Sequence, residues 1–180
     1  MTVWRQAAEI GEPRTEPPPA PRFDEELLAN DYVPIPCMLH PEQVTEYPQC
    51  DRDVLPGLLR HRVEQWDAQH DEQYNYALSS APGTKVGGYP LWIQDPFEPV
   101  CECGRTMEHL LTIATDEFGT KGRWLPLEDR DNPAIVGPHT IIDRDAWAPH
   151  GLMLGDVGSL YLFTCTTCPH RPLAGTEQST

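Results

Sequence analysis

Four of the six cysteines of this 180-residue chain stand in two pairs, Cys101 and Cys103 in VCECG and Cys165 and Cys168 in FTCTTCP. Thiolates at such spacings suit one tetrahedral ion. A cage of four fills every position around Zn²⁺ and leaves none for water or substrate. The chemistry predicted here is the stapling of a fold, not the activation of a nucleophile. The first pair is CxC followed by Gly104, whereas the second is the commoner CxxC and follows the apolar run SLYLF. Sixty-one residues separate the pairs, so tertiary structure must bring them together, and closing so long a loop constrains the unfolded chain strongly. Binding by all four thiolates adds to folding free energy, on the order of 10 kcal/mol in small zinc peptides. Unligated buried thiols and a redox or disulfide pair are the competing readings. His109 and His170 are the substitutes for a misplaced cysteine. His170, two residues beyond Cys168, is the nearer of them.

Other residues offer weaker chemistry. Cys37 with His40 in PCMLHP, together with Cys50, suggests a second site, but the two cysteines lie 13 positions apart and no fourth ligand is evident, so buried thiols are the simpler expectation. In APGTKVGGYPLWIQDP, Gly87 and Gly88 permit left-handed backbone, Pro90 fixes a turn and Trp92 opens an aromatic stretch. The segment lacks GxxxxGK[ST] and GxGxxG, and Lys85 precedes the glycines, so a tight structural turn is expected and not a phosphate loop. Asp156 sits between Gly155 and Gly158 in GDVGSLYLF, where an aspartate normally satisfies nearby backbone amides. Asp129, Asp131, Asp143 and Asp145 lack the spacing of a calcium loop. There is no GxSxG elbow and no HExxH helix.

A formal net charge of −15 opposes binding to phosphate backbones or anionic lipid and favours a basic protein partner. No apolar run approaches the roughly 20 residues that span a bilayer, and the N-terminal stretch lacks a signal-peptide pattern, so a cytoplasmic protein is expected. In that reducing compartment, clustered cysteines serve more often as metal ligands or redox centres than as disulfides.

The elements that must position these residues are legible in part. Residues 1–22 read as a proline-rich flexible arm, residues 23–175 as one domain and residues 176–180 as a tail. A helical turn is expected over Asp24 to Ala29, and irregular chain wrapping the domain over Tyr32 to Pro48, with its four prolines. Leu55, Leu58, Leu59, Val63 and Trp66 recur at steps of three and four and predict one clear amphipathic helix from about Arg52 to His70, starting close to Pro56, with that stripe in the core. Short aromatic and β-branched runs predict strands at Tyr74 to Ser79, Leu91 to Gln94, Leu110 to Thr115, Trp124 to Leu127, Thr140 to Ile142 and Leu160 to Cys165, with a long connection over Glu128 to Gly151. Strands following one helix, without regular alternation, predict an α+β domain built mainly on an antiparallel β-sheet.

The order of TKVGGYPLWIQDP, a cysteine knuckle, MEHLLTIAT and GDVGSLYLFTCTTCP, across Tyr74 to Pro172, resembles the YwqG-like family of bacterial proteins of unknown function. More distantly it is similar to the C-terminal domain of the programmed-cell-death-protein-2 group. PCMLHPEQVTEYP also resembles actinobacterial members. The resemblance implies a mostly β architecture with the GGYP turn and GDVG strand as core elements and no established catalysis. It also implies protein binding, chaperone-like or toxin-neutralising. The chain departs from the family's usual CPxCG by its CxC pair.

These readings converge on a cytoplasmic, non-enzymatic module stapled by structural zinc through Cys101, Cys103, Cys165 and Cys168, with a basic protein as partner. The GGYP residues Gly87, Gly88 and Pro90, with Trp92 and Asp156 beyond them, mark its structural or partner-binding motifs. The alternatives are an enzyme whose cleft is lined by Trp92, His109, Asp156 and Cys37 or His40, and a thiol redox sensor.

Overall fold

A computed structural model of the chain describes residues 34–38, 41–49, 55–70, 73–118, 124–125 and 148–180. The proline-rich arm, the expected turn at Asp24 to Ala29, the strand expected at Thr140 to Ile142, and His40 and Cys50 lie outside the described residues. The organising element is a four-stranded antiparallel sheet of order β1-β2-β3-β4: β1 Lys85–Val86, β2 Glu108–Ala114, β3 Ser159–Thr164 and β4 Leu173–Gln178. Among the described residues two helices precede it, α1 Gly57–His70 and α2 Tyr74–Ala77. Among the described residues, no helix is long and apolar enough to cross a membrane.

β3 is an inner strand, paired along its length with β2 and β4. Alternation places Ser159, Tyr161 and Phe163 on one face, and all three are buried. Tyr161 and Phe163 pack with Met107, Cys101 and Cys165, and Trp92, Cys168 and Ala174 close over them. The Trp92 ring lies 4.9 Å from that of Tyr161 and 5.9 Å from that of Phe163, distances at which aromatic pairs attract beyond simple burial. β2 registers on β3 with His109 opposite Phe163 and Leu111 opposite Leu162, so Leu110 is an extra residue that bulges out of the ladder.

The expected core helix is corrected by the structure. α1 starts at Gly57, with the Pro56 carbonyl accepting the amides of Leu59 and Arg60 at 2.8 and 3.0 Å. A proline fits this boundary because the first helical amides need no partner within the helix. No residue of α1 is buried, and Leu58 is 70% exposed. The stripe fails as a core because Leu55 precedes the helix and Arg60, His61 and Arg62 interrupt what remains. The surviving aromatic, Trp66, stacks on His70 of its own helix at 4.4 Å.

Four other expectations also change. Tyr74 to Ser79 is not a strand: the carboxylate of Asp67 accepts the Tyr74 amide at 2.7 Å, the Gln73 carbonyl accepts those of Tyr76 and Ala77, and this local capping folds α2. Leu91 to Gln94 forms no strand because glutamine side chains take its amides. Gln49 accepts from Trp92 at 2.7 Å, and Gln178 accepts from Ile93 and Gln94 at 3.1 and 3.0 Å. Trp124 and Leu125 lie in a turn, not a strand. The segment expected as a tail at 176–180 enters β4, where Gln178 is 6% exposed and also donates to the Asp95 carbonyl at 2.8 Å.

Candidate metal centre

Two hairpin tips carry the cysteines. In the first, Val100 bridges Thr106, Cys101 donates its amide to the Arg105 carbonyl at 2.8 Å, and Gly104 donates back to the Cys101 carbonyl at 2.8 Å. Gly104 takes φ 82°, a left-handed angle that explains the glycine after CxC. In the second, the Cys165 amide donates to the Pro172 carbonyl at 3.1 Å, carrying the β3–β4 ladder one step past Thr164 and Leu173. Arg171 donates to the Cys168 carbonyl at 2.9 Å and itself sits at φ 43°. The register of β2 on β3 then joins the tips: Glu108 faces Thr164, one residue before Cys165, and its carboxylate accepts the Thr166 hydroxyl at 2.6 Å.

The sulfurs meet as a result. All four Sγ atoms lie within 4.8 Å of one another, with Cys101 and Cys168 at 3.8 Å and Cys103 and Cys165 at 3.6 Å. Metal–sulfur bonds of about 2.3 Å in a tetrahedral cage place neighbouring sulfurs about 3.8 Å apart. The four cysteines thus fit a metal ion. Cys165 is 1% exposed and Cys101 8%, both within the hydrophobic core, whereas Cys103 is exposed. The cage is therefore an extension of the core towards one end of the sheet.

Backbone amides turn towards the sulfurs. The Cys168 amide, with that of Thr167, pulls the Cys165 thiol down to about 7 against the effect of its burial. Cys168 is pushed up to about 12, first by the thiol of Cys103. At Cys101 the Cys103 amide pulls down, but burial and the neighbouring thiols outweigh it and the net shift is upward. Protons and a divalent cation compete for the same sulfurs, so metal affinity rises with pH.

Neither histidine substitutes for a thiol. His170 is exposed and outside the cluster. His109 turns to β1 and β2, with Nδ1 3.0 Å from the Gly87 carbonyl and Nε2 2.8 Å from Thr112 Oγ1. A carbonyl only accepts, so Nδ1 carries the proton and Nε2 accepts the threonine hydroxyl. Burial lowers the affinity of this ring for a second proton, with Lys85 adding to the effect and the Gly87 carbonyl and Glu46 opposing it. In the unfolded chain His109 protonates near pH 6.5. The stability tied to neutral His109 is thus complete above that pH and declines as pH falls below it, where the unfolded chain binds the extra proton first. His109→Gln is expected to flatten this part of the stability–pH curve, checked by urea unfolding between pH 5 and 7.5.

Among the described residues, His109 and Asp156 of the expected cleft do not come together. His109 faces Phe163, whereas Asp156 lies beyond Ser159, at the opposite end of β3 about 13 Å or more away. Asp156 is exposed, and its carbonyl accepts the amide and hydroxyl of Thr180 at 3.1 and 2.8 Å. Trp92 is committed to the core, and Cys37 is exposed. A small pocket of about 40 Å³ is lined instead by Val63, Gln73, Tyr74 and Asn75.

Around the GGYP turn the sequence did not point to Glu46. Its carboxylate accepts Lys85 Nζ at 2.7 Å and the amides of Ala81 and Tyr89 at 2.6 Å each, while Lys85 also donates to the Ala81 carbonyl at 2.8 Å. Both side chains are buried, at 8% and 13% exposure. Gly87 and Gly88 follow at φ 72° and 68°, and a Cβ on Gly88 would fall 1.8 Å from Glu46 Oε1. The motif is a structural clamp on residues 41–49, which wrap the domain as irregular chain. Pro90 follows in chain without regular secondary structure.

Comparison of the chain with family models, curated proteins and solved structures gives no match in any of the three.

Proposed function

We propose that this chain is a zinc-stapled, non-enzymatic protein-binding module of the cytoplasm, YwqG-like in kind, whose partner is a basic protein segment. One observation carries the staple: four thiolates at tetrahedral spacing, two of them within the hydrophobic core. Soft thiolates select zinc among the common divalent ions, and a fully thiolate cage has no open position for chemistry. The binding role draws support from the surface near the cage. On the segment that carries Cys101 and Cys103, Phe97 and Val100 leave large apolar side chains in solvent, and Asp95, Glu98, Glu102 and Glu108 are exposed there beside a single base, Arg105. Exposed apolar groups among predominantly acidic residues suit a partner that offers apolar and basic residues together.

Elemental analysis of protein purified without a metal-binding tag is expected to give one zinc per chain, and folded protein free of metal overturns the staple. Affinity capture from a native lysate is expected to return a basic protein whose yield falls between low and physiological salt. Recovery of the bait alone at both salts overturns the binding role.

A further inference from the structure

We propose that Cys103 is an oxidation site, and that hydrogen peroxide converts the zinc cage into a disulfide between Cys103 and Cys165. The inference rests on the zinc staple and adds a chemical fate for it. The four sulfurs are not equally reachable. Cys101 and Cys165 are buried and Cys168 is half-buried, so Cys103, exposed at the tip of its hairpin, is the one a small oxidant meets first. Reactivity of this kind follows thiolate character together with access. Metal binding supplies the first and the hairpin tip the second.

The geometry also selects the second sulfur. Cys165 Sγ stands 3.6 Å from Cys103 Sγ, and a disulfide requires about 2.05 Å. The exposed hairpin tip need only move inward by about 1.5 Å to close that gap. The two residues belong to different hairpins 62 positions apart, so their linkage leaves the Cys101–Arg105 and Cys165–Pro172 hydrogen bonds of each hairpin in place.

The reaction balances with one hydrogen peroxide. The Cys103 thiolate attacks one peroxide oxygen, the O–O bond breaks, hydroxide leaves and a sulfenic acid remains. The Cys165 thiolate attacks the Cys103 sulfur, the S–S bond forms, the S–O bond breaks and a second hydroxide leaves. Two sulfurs have given two electrons to the peroxide. The zinc ion retains only Cys101 and Cys168 and passes to solvent or a chelator. The new bond closes the same 62-position loop that the ion closed, and cross-links over long loops restrict the unfolded chain by an amount similar to that of a metal clip. Oxidation thus removes the metal and keeps the two hairpins joined.

The test uses zinc-loaded full-length protein, hydrogen peroxide and a chromogenic zinc chelator. One zinc is expected to be released per peroxide consumed, as titratable thiols fall from the chain's six cysteines to about four, the loss that one disulfide entails. Peptide mapping is expected to recover Cys103 linked to Cys165. The melting temperature should stay closer to that of the zinc form than to that of reduced protein stripped with chelator. Zinc retained under excess peroxide, linkage through other cysteines, or sulfinic acid without linkage overturns the proposal while the staple stands. Absence of zinc from the starting protein removes both.

Discussion

Cys165→Ser is expected to abolish metal binding and lower the melting temperature by roughly 10 °C or more. Cys165 is 1% exposed, belongs to the hydrophobic core and accepts backbone amides from its own hairpin, so its loss removes a ligand and leaves a hydroxyl in an apolar setting. A structural metal supplies folding free energy directly. If about 4 kcal/mol of it is lost, a domain of this size melts some 8–16 °C lower. Calorimetry with and without a chelator checks this: chelation should lower the melting temperature of the native protein and leave that of the variant unmoved. Cys37→Ser, an exposed thiol outside the cluster, is the matched control and should change neither metal content nor melting. A Cys165→Ser protein that still carries one metal per chain would show that the sulfurs do not act as a cage.

The second large effect is expected at Glu46. Its replacement by Ala strips Lys85 and two backbone amides of their acceptor in a site where both side chains are almost wholly buried. Breaking a buried pair by removing one partner costs about 3–5 kcal/mol, because the remaining charge is uncompensated. Burial already lowers the proton affinity of Lys85 with Glu46 resisting it, so without Glu46 the lysine is expected to lose its proton more readily. The paired replacement Glu46→Leu with Lys85→Met should recover part of the loss, since apolar groups of similar volume need no partner. Urea unfolding of the two single variants and the pair gives the coupling directly. A loss below about 1 kcal/mol for Glu46→Ala, the range of exposed pairs, would place the pair in solvent. Gly88→Ala attacks the same clamp from the other side, because a Cβ there collides with Glu46 and the left-handed φ is unfavourable to any side chain.

The sequence is legible here wherever the chemistry is local and fails where it is not. β2 and β3 are readable because MEHLLTIAT and SLYLFTC carry the alternation and branching that a half-buried strand needs. The cage is readable because thiol pairs have few uses in one chain. The helix at 57–70 is also readable as a helix, yet its exposure is not, because a weak stripe records what a helix could bury and not what lies next to it. β4 was missed because LAGTEQ carries Gly175 and little branching, and it is a strand by virtue of its pairing with β3. Leu91 to Gln94 failed in the opposite sense: its aromatic texture suits a strand, but Gln49 and Gln178, 43 and 85 positions away, supply the hydrogen bonds a neighbouring strand would have given. Glu46 was invisible for the same reason. A lysine beside two glycines implies an acid somewhere, and nothing local distinguishes one among the 28 available.

The bulge at Leu110 gives the register of β2 against β3 a kinetic meaning. The thiols of the two hairpins approach only after residues more than 40 positions apart have zipped together in that one alignment, and contacts so distant in sequence form slowly. A slip by a single residue would carry Glu108 away from Thr164 and dissolve the cage before it exists. On the proposed staple, ion capture would be a late event in maturation, a lock that engages only on correctly aligned strands and so proofreads the topology it goes on to hold.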